Sequence, residues 1–402
     1  MTNFPQQENS GGSRQGGDLQ RKVTCLWKEP GAAHLYRTGV SLHSHTNHSK
    51  EALYFIAEYA GRRWPLRKML ATQEKMAQFK SAITVDFRKG YWRPPLPPLA
   101  AFELEKNQIE QSLGLQSMVS ISDHDNIEAP MLLRVVPEAR RVPVSVEWTV
   151  PFQEAIFHLG VHNLPSGRAE SIMADLAEYT RRPQDRKLPE LLAALHGIPE
   201  VLVVLNHPMW NLGGLCRESH DALLRTLLCK VGQFIHALEL NGMRRWQENQ
   251  SVLHLSYACN QLVISGGDRH GCEPNAILNL TNAESFTEFV YQIRRERFSH
   301  VLFMPQYTDP YALRILQGLL DAIREYPSIG PRSWDERVFH PDHAGVIKPL
   351  SELWDAPPFY VRYFFSLVRL LEMEPVRKAV LALAKPQQGI SLALGERQEV
   401  AP

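Results

Sequence analysis

Runs of apolar and β-branched residues recur along the chain, and turn-forming residues separate them, which predicts a series of buried strands. Seven strands are expected at residues 39–43, 118–122, 142–147, 155–161, 201–206, 234–240 and 262–265, with a weaker eighth at 301–304. The intervening segments carry apolar residues at a helical period and predict helices at 50–59, 99–113, 168–179, 188–195, 221–230, 247–258 and 285–297. Residues 142–161 hold two strands without room for a helix, so a hairpin is expected there.

Strands that alternate with helices predict an α/β protein with a parallel sheet, and seven or eight such units predict a distorted (β/α)7 TIM-like barrel. The barrel is expected to span residues 23–303, with an insertion at about 62–98 after the first strand. A further helical pattern predicts a C-terminal helical region at 304–385. Residues 1–22 are rich in Gln, Asn, Gly and Ser and are expected to form a disordered tail, and 386–402 a flexible tail.

The charges of the chain nearly balance, with 44 Lys and Arg residues against 43 Asp and Glu residues. This balance gives no global excess of positive charge for nucleic acid or a membrane surface. The five cysteines show no CxxC spacing, so they are expected to be reduced thiols. The N-terminus lacks the apolar core of a signal peptide, and no apolar stretch approaches membrane-spanning length. These features predict a cytoplasmic protein without a membrane partner.

Histidine and carboxylate residues stand at the ends of most predicted strands, in the segments Leu42-His43-Ser44-His45, Ser122-Asp123-His124-Asp125, Val146-Glu147-Trp148, Leu205-Asn206-His207-Pro208 and Gly267-Asp268-Arg269-His270. Parallel strands deliver such side chains to one rim of a sheet or barrel, where they can converge on a metal. Side chains two residues apart on a strand point the same way, so His43 and His45 can bind one ion. A donor set of histidine and carboxylate suits Zn²⁺, Mn²⁺ or Fe²⁺.

In chain order, these segments resemble the motifs of the PHP (polymerase and histidinol phosphatase) superfamily of metal-dependent phosphoesterases. The resemblance runs from about residue 40 to residue 271 and rests on His43-Ser44-His45, Ser122-Asp123-His124, Glu147, His158, His207-Pro208 and Asp268-Arg269-His270. It implies a barrel of the PHP type with two or three divalent ions (Zn, Mn or Fe) at the carboxyl ends of its strands. The chain departs from the family pattern at Ser41, where the family often has Asp before the first motif.

The resemblance also implies a ligand set for each ion. The first ion would be held by His43, His45, Glu147 and Asp268. Glu147 would bridge to a second ion, which His158 and His207 complete. A third ion would be held by His124 and His270. Glu51 is expected to complete the third site, and His48 is the alternative.

Such a site predicts a hydrolase of phosphate esters that uses a hydroxide bridging two metal ions, with Glu147, Asp268 and His207 at the catalytic centre. A small phosphomonoester is the expected substrate. One alternative is a nuclease or phosphodiesterase that acts on nucleic-acid ends, and another is a metal-binding regulatory module without turnover. The sequence has no basic stripe, which argues against a nucleic-acid partner.

Substrate binding requires positive charge beyond the metals, because a phosphoryl group is anionic. Arg244 and Arg245 follow the sixth predicted strand and are candidate phosphate clamps. Trp92 and Arg93 in the insertion are candidate substrate contacts if the insertion covers the site. The alternative is a surface excursion that packs its aromatic residues against the barrel. Arg269 alternates away from the neighbouring ligands, so it is expected to point away from the ions.

Overall fold

The computed structural model describes residues 19–53, 86, 88–326, 333–354, 357, 361–363, 366, 369–370 and 373–383. Within them the strands are β1 (Gln20–Cys25), β2 (Thr38–Ser44), β3 (Glu51–Ala52), β4 (Tyr91–Trp92), β5 (Gln116–Ile121), β6 (Val144–Phe152), β7 (Ala155–Leu164), β8 (Leu202–Asn206), β9 (Ala237–Asn241), β10 (Leu262–Gly266), β11 (Ile277–Thr281), β12 (Phe298–Phe303), β13 (Val338–Pro341) and β14 (Ile347–Pro349). The α-helices are α1 (Pro98–Asn107), α2 (Glu128–Leu133), α3 (Ala169–Arg181), α4 (Lys187–His196), α5 (Arg217–Val231), α6 (Trp246–Ala258), α7 (Phe286–Tyr291), α8 (Tyr311–Ile323), α9 (Leu350–Leu353) and α10 (Glu374–Leu383). Two helices continue as π-helical segments, α1 at Gln108–Leu113 and α7 at Gln292–Glu296.

The fold is mixed α/β and contains two five-stranded sheets. Their strand orders are β1-β12-β11-β2-β5 and β10-β9-β8-β7-β6. Parallel pairs occur in both sheets, for example β2 with β5 and β9 with β10. The predicted hairpin is confirmed, since β6 and β7 pair antiparallel. β11 also runs antiparallel to both of its neighbours, so the alternation that would build a TIM-like barrel is interrupted.

The described strands form no closed barrel, but the two sheets meet at the ends of their strands. The backbone of Glu147 bonds that of Asp123 and Asp125, which joins the end of β5 to β6. Asp268 N–H donates to the carbonyl of His43 at 2.7 Å, which joins the end of β2 to the loop after β10. Residues from both sheets are thereby brought to one edge.

Several sequence predictions need correction. The tail was expected to reach residue 22, but Gln20–Cys25 forms β1, which pairs with β12. This strand and β11 carry several polar residues, which concealed them in the apolar pattern. A helix was expected at 50–59, but Glu51 and Ala52 form β3. Residues 1–18, 54–85 and 384–402 lie outside the described residues, and with them most of the insertion and both expected tails.

The region after residue 304 is not purely helical. It contains the expected helices α8 and α10, and also β13 and β14. These two strands form a small sheet of order β14-β13-β4-β3, in which β3 precedes the insertion and β4 lies within it. Pro341 and Pro349 end the two strands, and proline is disfavoured inside a helix.

A large apolar core supports the second sheet, where β6–β10 pack against α3, α4, α5 and α6. Trp148 of β6 is fully buried, and its indole Nε1–H donates to Thr180 Oγ1 on α3 at 3.0 Å. Full burial of a large apolar side chain stabilises a fold by about 1.5–3 kcal/mol. A well-packed apolar core therefore supports the strands of this sheet. No helix among the described residues is long and apolar enough to cross a membrane.

Candidate metal centre

Three of the predicted ligands have an unusual backbone conformation. His43 near the end of β2, His207 directly after β8 and Asp268 just beyond β10 have φ angles of 63°, 28° and 54°. Non-glycine residues rarely occupy this region, and such residues cost about 1–3 kcal/mol each. Strain of this kind persists only where the surrounding structure enforces it, and it concentrates at functional sites.

A first group of donors lies between the two sheets and consists of His43, His45, Glu147 and Asp268. His43 Nε2 lies 3.0 Å from Glu147 Oε2 and 3.7 Å from Asp268 Oδ1. His45 Nε2 lies 3.4 Å and 3.6 Å from the same two oxygens. A tetrahedral zinc ion with bonds of about 2.0–2.1 Å would place its ligand atoms about 3.3 Å apart. These four distances are close to that spacing, and the donor atoms of His43, His45 and Glu147 all lie within 4.8 Å of one another.

The other oxygen of Glu147 faces a second group. Glu147 Oε1 lies 3.2 Å from His158 Nδ1 and 3.1 Å from His207 Nε2. It also accepts a hydrogen bond of 2.9 Å from the Asn206 side chain, which fixes the carboxylate plane. Because its two oxygens face different histidines, Glu147 has the geometry of a bridging ligand.

A third group forms around Glu51, whose Oε2 lies 3.2 Å from His124 Nε2 and 2.9 Å from His270 Nε2. His45 Nδ1 is 3.4 Å from the other oxygen of Glu51, so the third group adjoins the first. The alternative ligand His48 instead pairs with the exposed Glu128 at 2.9 Å. The structure therefore brings Glu51, and not His48, into contact with His124 and His270.

Three carboxyl groups in the cluster are buried but remain ionised. Burial raises the pKa of Glu147, but His43, His124 and His158 lower it more, so this pKa lies well below its ordinary value. Burial and neighbouring histidines have the same opposed effects on the pKa values of Glu51 and Asp268, which are also well below their ordinary range. The cluster thus concentrates negative charge in a site with little access to water.

The histidines fall into two protonation classes. Burial lowers the pKa of His45 to about 3 and that of His158 to about 4, so both imidazoles are neutral at pH 7. Burial also lowers the pKa of His124, but Glu147 and Glu51 outweigh it and raise that pKa to about 10. The pKa values of His43 and His270 are raised as well, because carboxylates face both rings. Divalent cations could replace the protons on these histidines, since metal ligation requires neutral imidazole.

Several buried donor atoms of the cluster have no hydrogen-bond partner among the described residues, and a metal ion would satisfy them. His43 Nε2, His45 Nε2, Glu147 Oε2 and His158 Nδ1 are buried without a hydrogen-bond partner of suitable geometry in the described part of the chain. The other ring nitrogen of His43 lies 2.6 Å from Glu239 Oε2, so a neutral imidazole that donates there would present the lone pair of Nε2 to a metal. Three donor groups (His43, His45, Glu147; His124, Glu147, His158; His45, Glu51, His124, His270) each have their donor atoms within 4.8 Å of one another. Imidazole nitrogen with carboxylate oxygen suits zinc, manganese or iron.

Two residues of β9, Glu239 and Asn241, form hydrogen bonds with members of the first group. Glu239 accepts from His43 and also from Asn241 Nδ2 at 2.6 Å, and Asn241 donates to Asp268 Oδ2 at 3.2 Å. Such hydrogen bonds orient metal-binding side chains and raise their basicity. Gly266 is required beside them, because a Cβ atom there would lie 1.9 Å from Glu239 Oε2.

A buried ion pair beneath the cluster was not predicted. Arg269 points away from the ligands, as expected, and its Nε donates to Glu105 Oε1 at 2.6 Å. Glu105 on α1 also accepts from Ser41 Oγ at 3.0 Å, so it links the segments that carry the first and last ligands. Its spacing of four residues from both Ala101 and Ile109 places a carboxylate on the buried face of a helix. A carboxylate on the apolar face of a predicted helix could therefore have indicated this buried ion pair from the sequence.

The structure brings two of the four candidate substrate residues to the cluster. Arg244 Nη2 lies 3.8 Å from Asp268 Oδ2, and its guanidinium covers the Trp210 ring at 3.6 Å. The Trp92 ring lies 6.1 Å from the His270 ring. Arg245 and Arg93 instead cover the rings of Tyr311 and Phe339, at 4.7 Å and 5.0 Å. Both are drawn away from the ligands by these cation–π contacts.

No family model matches the chain, and no curated protein matches it. Among solved structures, a proposed metal-dependent phosphoesterase from Bifidobacterium adolescentis is 16% identical, with a TM-score of 0.30 and 49% of this chain and 90% of that chain covered. PsfC from Pseudomonas syringae is 15% identical, with a TM-score of 0.37 and coverage of 55% and 88%. An amidohydrolase from Chromobacterium violaceum with bound sulfate and no metal is 12% identical, with a TM-score of 0.28 and coverage of 44% and 83%. At these TM-scores the likenesses assign no activity to this chain.

Proposed function

We propose that this protein is a metal-dependent phosphoesterase of the PHP type that hydrolyses a small phosphomonoester. The observation that carries the proposal is the convergence of nine predicted ligands on one edge of the fold, with Glu147 between the first and second groups. The bonds that join β5 to β6 and β2 to the loop after β10 support a distorted barrel in which the two sheets surround a common centre. The unpartnered buried donor atoms support resident divalent ions.

In this proposal the carboxylates are fixed before the substrate arrives. Asn206 holds Glu147, and Asn241 holds Asp268, each through a side-chain amide. His207 lies 3.1 Å from Glu147 Oε1, on the side opposite the first group, so Glu147, Asp268 and His207 would all be able to hold the ions in this proposal. Bound divalent ions would lower the pKa of a water molecule and neutralise charge on the phosphoryl oxygens.

Arg244 is the residue that we assign to a phosphoryl oxygen. The guanidinium of Arg244 stacks on the Trp210 ring, with its central carbon 3.6 Å from the ring centroid. The Nε atom of Arg244 is buried and has no hydrogen-bond partner among the described residues. Its Nη2 lies 3.8 Å from Asp268 Oδ2, which sets the guanidinium next to the proposed ligands. Arginine suits this role because its planar donors match two phosphate oxygens.

The proposal is tested with purified protein that is stripped of metal and then reloaded with Zn²⁺, Mn²⁺ or Mg²⁺. The substrates are p-nitrophenyl phosphate, bis-p-nitrophenyl phosphate and p-nitrophenyl acetate, which share one leaving group and differ in the bond that is cleaved. We expect metal-dependent turnover that is fastest on the monoester. Turnover of the acetate alone, or no turnover of any substrate with any metal, would contradict the proposal.

A further inference from the structure

Glu51 has less support from its own segment than the other ligands of the centre. It lies on β3, which is two residues long, and its side chain is nevertheless buried. β3 pairs with β4 alone in the described sheet, with Glu51 opposite Trp92 and Ala52 opposite Tyr91. Ser49 Oγ donates to Glu51 Oε1 at 2.5 Å, but the backbone of Glu51 depends on what holds β4.

β4 is held by β13, which lies about 250 residues later in the chain. Val338 pairs with Trp92, so Glu51, Trp92 and Val338 form one row across the sheet and share a face. In the adjacent row the Tyr91 ring stacks on Phe339, with centroids 5.0 Å apart and planes at 12°.

A second anchor fixes the turn that leads into β4. His340 is buried, and its Nε2 accepts the backbone N–H of Asp86 at 2.9 Å. Its Nδ1 donates to the Pro341 carbonyl at 2.8 Å, so both ring nitrogens are used. The turn is closed by Gly90 N–H, which donates to the Asp86 carbonyl at 3.2 Å. Gly90 packs closely enough that a Cβ atom there would lie 3.2 Å from the Phe339 carbonyl oxygen.

We propose that Phe339 and His340 are positioning residues for the third metal site, because they hold β4 and thereby hold Glu51 against His124 and His270. The inference rests on the proposed function, in which Glu51 binds a metal. It makes β13 part of the active centre although neither residue contacts a donor group. The segment around β13 then controls the metal content of a site whose ligand Glu51 lies about 290 residues earlier in the chain.

The test is a calorimetric titration of the metal-free full-length protein with Zn²⁺, together with metal content after dialysis. We expect Phe339→Ala and His340→Ala to retain two tightly bound equivalents and to weaken the third by about tenfold or more, the range seen when supporting groups around a metal site are removed. Phe339→Tyr preserves the stack and should bind like wild type. His343→Ala is the matched control, since His343 is exposed in the turn after β13.

Glu51→Gln separates this inference from the proposed function. If Glu51→Gln retains all three equivalents, Glu51 is not a ligand and the third site of the proposed function fails. If Glu51→Gln loses one equivalent while Phe339→Ala and His340→Ala bind all three with wild-type affinity, the positioning role is wrong. Loss of all equivalents in both alanine variants would show a general structural effect and would also overturn it.

Discussion

The two ends of the metal centre are built differently. The first and second groups stand within or just beyond strands of the two large sheets, and their side chains are at most 8% exposed. In the third group, Glu51 lies on a two-residue strand, and the side chains of His124 and His270 are 14% and 24% exposed. Sites on rigid elements hold their geometry better than sites on loops. We therefore expect two tight metal sites and one weaker site.

The largest effect is expected from Glu147→Gln, because Glu147 faces ligands of both tight groups. The amide keeps the shape of the side chain but loses the charge and one acceptor oxygen. We predict a loss of phosphatase turnover greater than about 100-fold, above the 10–100-fold cost of removing an outer partner. Steady-state kinetics with p-nitrophenyl phosphate measure it, and Glu128→Gln is the exposed control. Normal turnover by Glu147→Gln would exclude the bridging role.

The third site should be separable from the other two. His270→Ala removes a ring whose Nε2 lies 2.9 Å from Glu51. In the described part of the chain its other neighbours are Asp268, His45 and Trp92, which lie outside the second group. We predict that the variant loses about one metal equivalent and its turnover, while the two tight equivalents remain. Elemental analysis after dialysis measures the content. Retained stoichiometry would point to a two-metal enzyme in which His270 has another role.

Glu239→Gln should weaken the first site without removing a ligand. Glu239 accepts a 2.6 Å hydrogen bond from His43 Nδ1, and a neutral amide is a poorer acceptor than a carboxylate. We predict a 10–100-fold loss of metal affinity, in line with other partners of metal-bound histidine. Competition with a chromogenic chelator measures the affinity. An unchanged affinity would mean that packing alone orients His43.

The smallest effect is expected from Trp92→Ala, which acts on the substrate and not on the tight metals. Trp92 lies beside His270 and is partly exposed, so its ring can contact an aromatic leaving group. We predict that KM for p-nitrophenyl phosphate rises about three- to tenfold, because an aromatic contact contributes about 0.5–1.5 kcal/mol. KM for glycerol phosphate, which has no ring, should not change. A Trp92→Phe variant should restore the aryl preference, and equal losses on both substrates would contradict the contact.

The sequence indicated which histidines and carboxylates the fold brings together, because most of them end or directly follow an apolar run. The strands that carry Glu147 and His158 and the strand that precedes His207 were located to within a few residues. His43 and His45 face the same centre as expected, but β2 departs from regular alternation there, with a register shift between Ser41 and Ser44. The sequence favoured Glu51 over His48 but held no local pattern that fixes where Glu51 lies. Its position depends on β3, whose two residues have no periodic pattern of their own and are placed by β4.

The long-range pairings were harder to predict for a physical reason. β1 is largely polar because its neighbour β12 supplies much of its stability, so local apolar content does not reveal it. The antiparallel course of β11 depends on its pairing with β2 and β12, which are distant in sequence. Arg245 and Arg93 were chosen by position alone, but nearby aromatic rings determine where their guanidinium groups lie.

The central claim is that the convergent histidines and carboxylates hold divalent metal ions in a fixed order of affinity. The most direct measurement is the metal content of the full-length protein after mild purification, metal removal and reloading with Zn²⁺ or Mn²⁺, followed by dialysis against a graded series of chelator concentrations. We predict two equivalents that resist the chelator and a third that is lost first. Less than one equivalent of either metal after reloading would contradict the account.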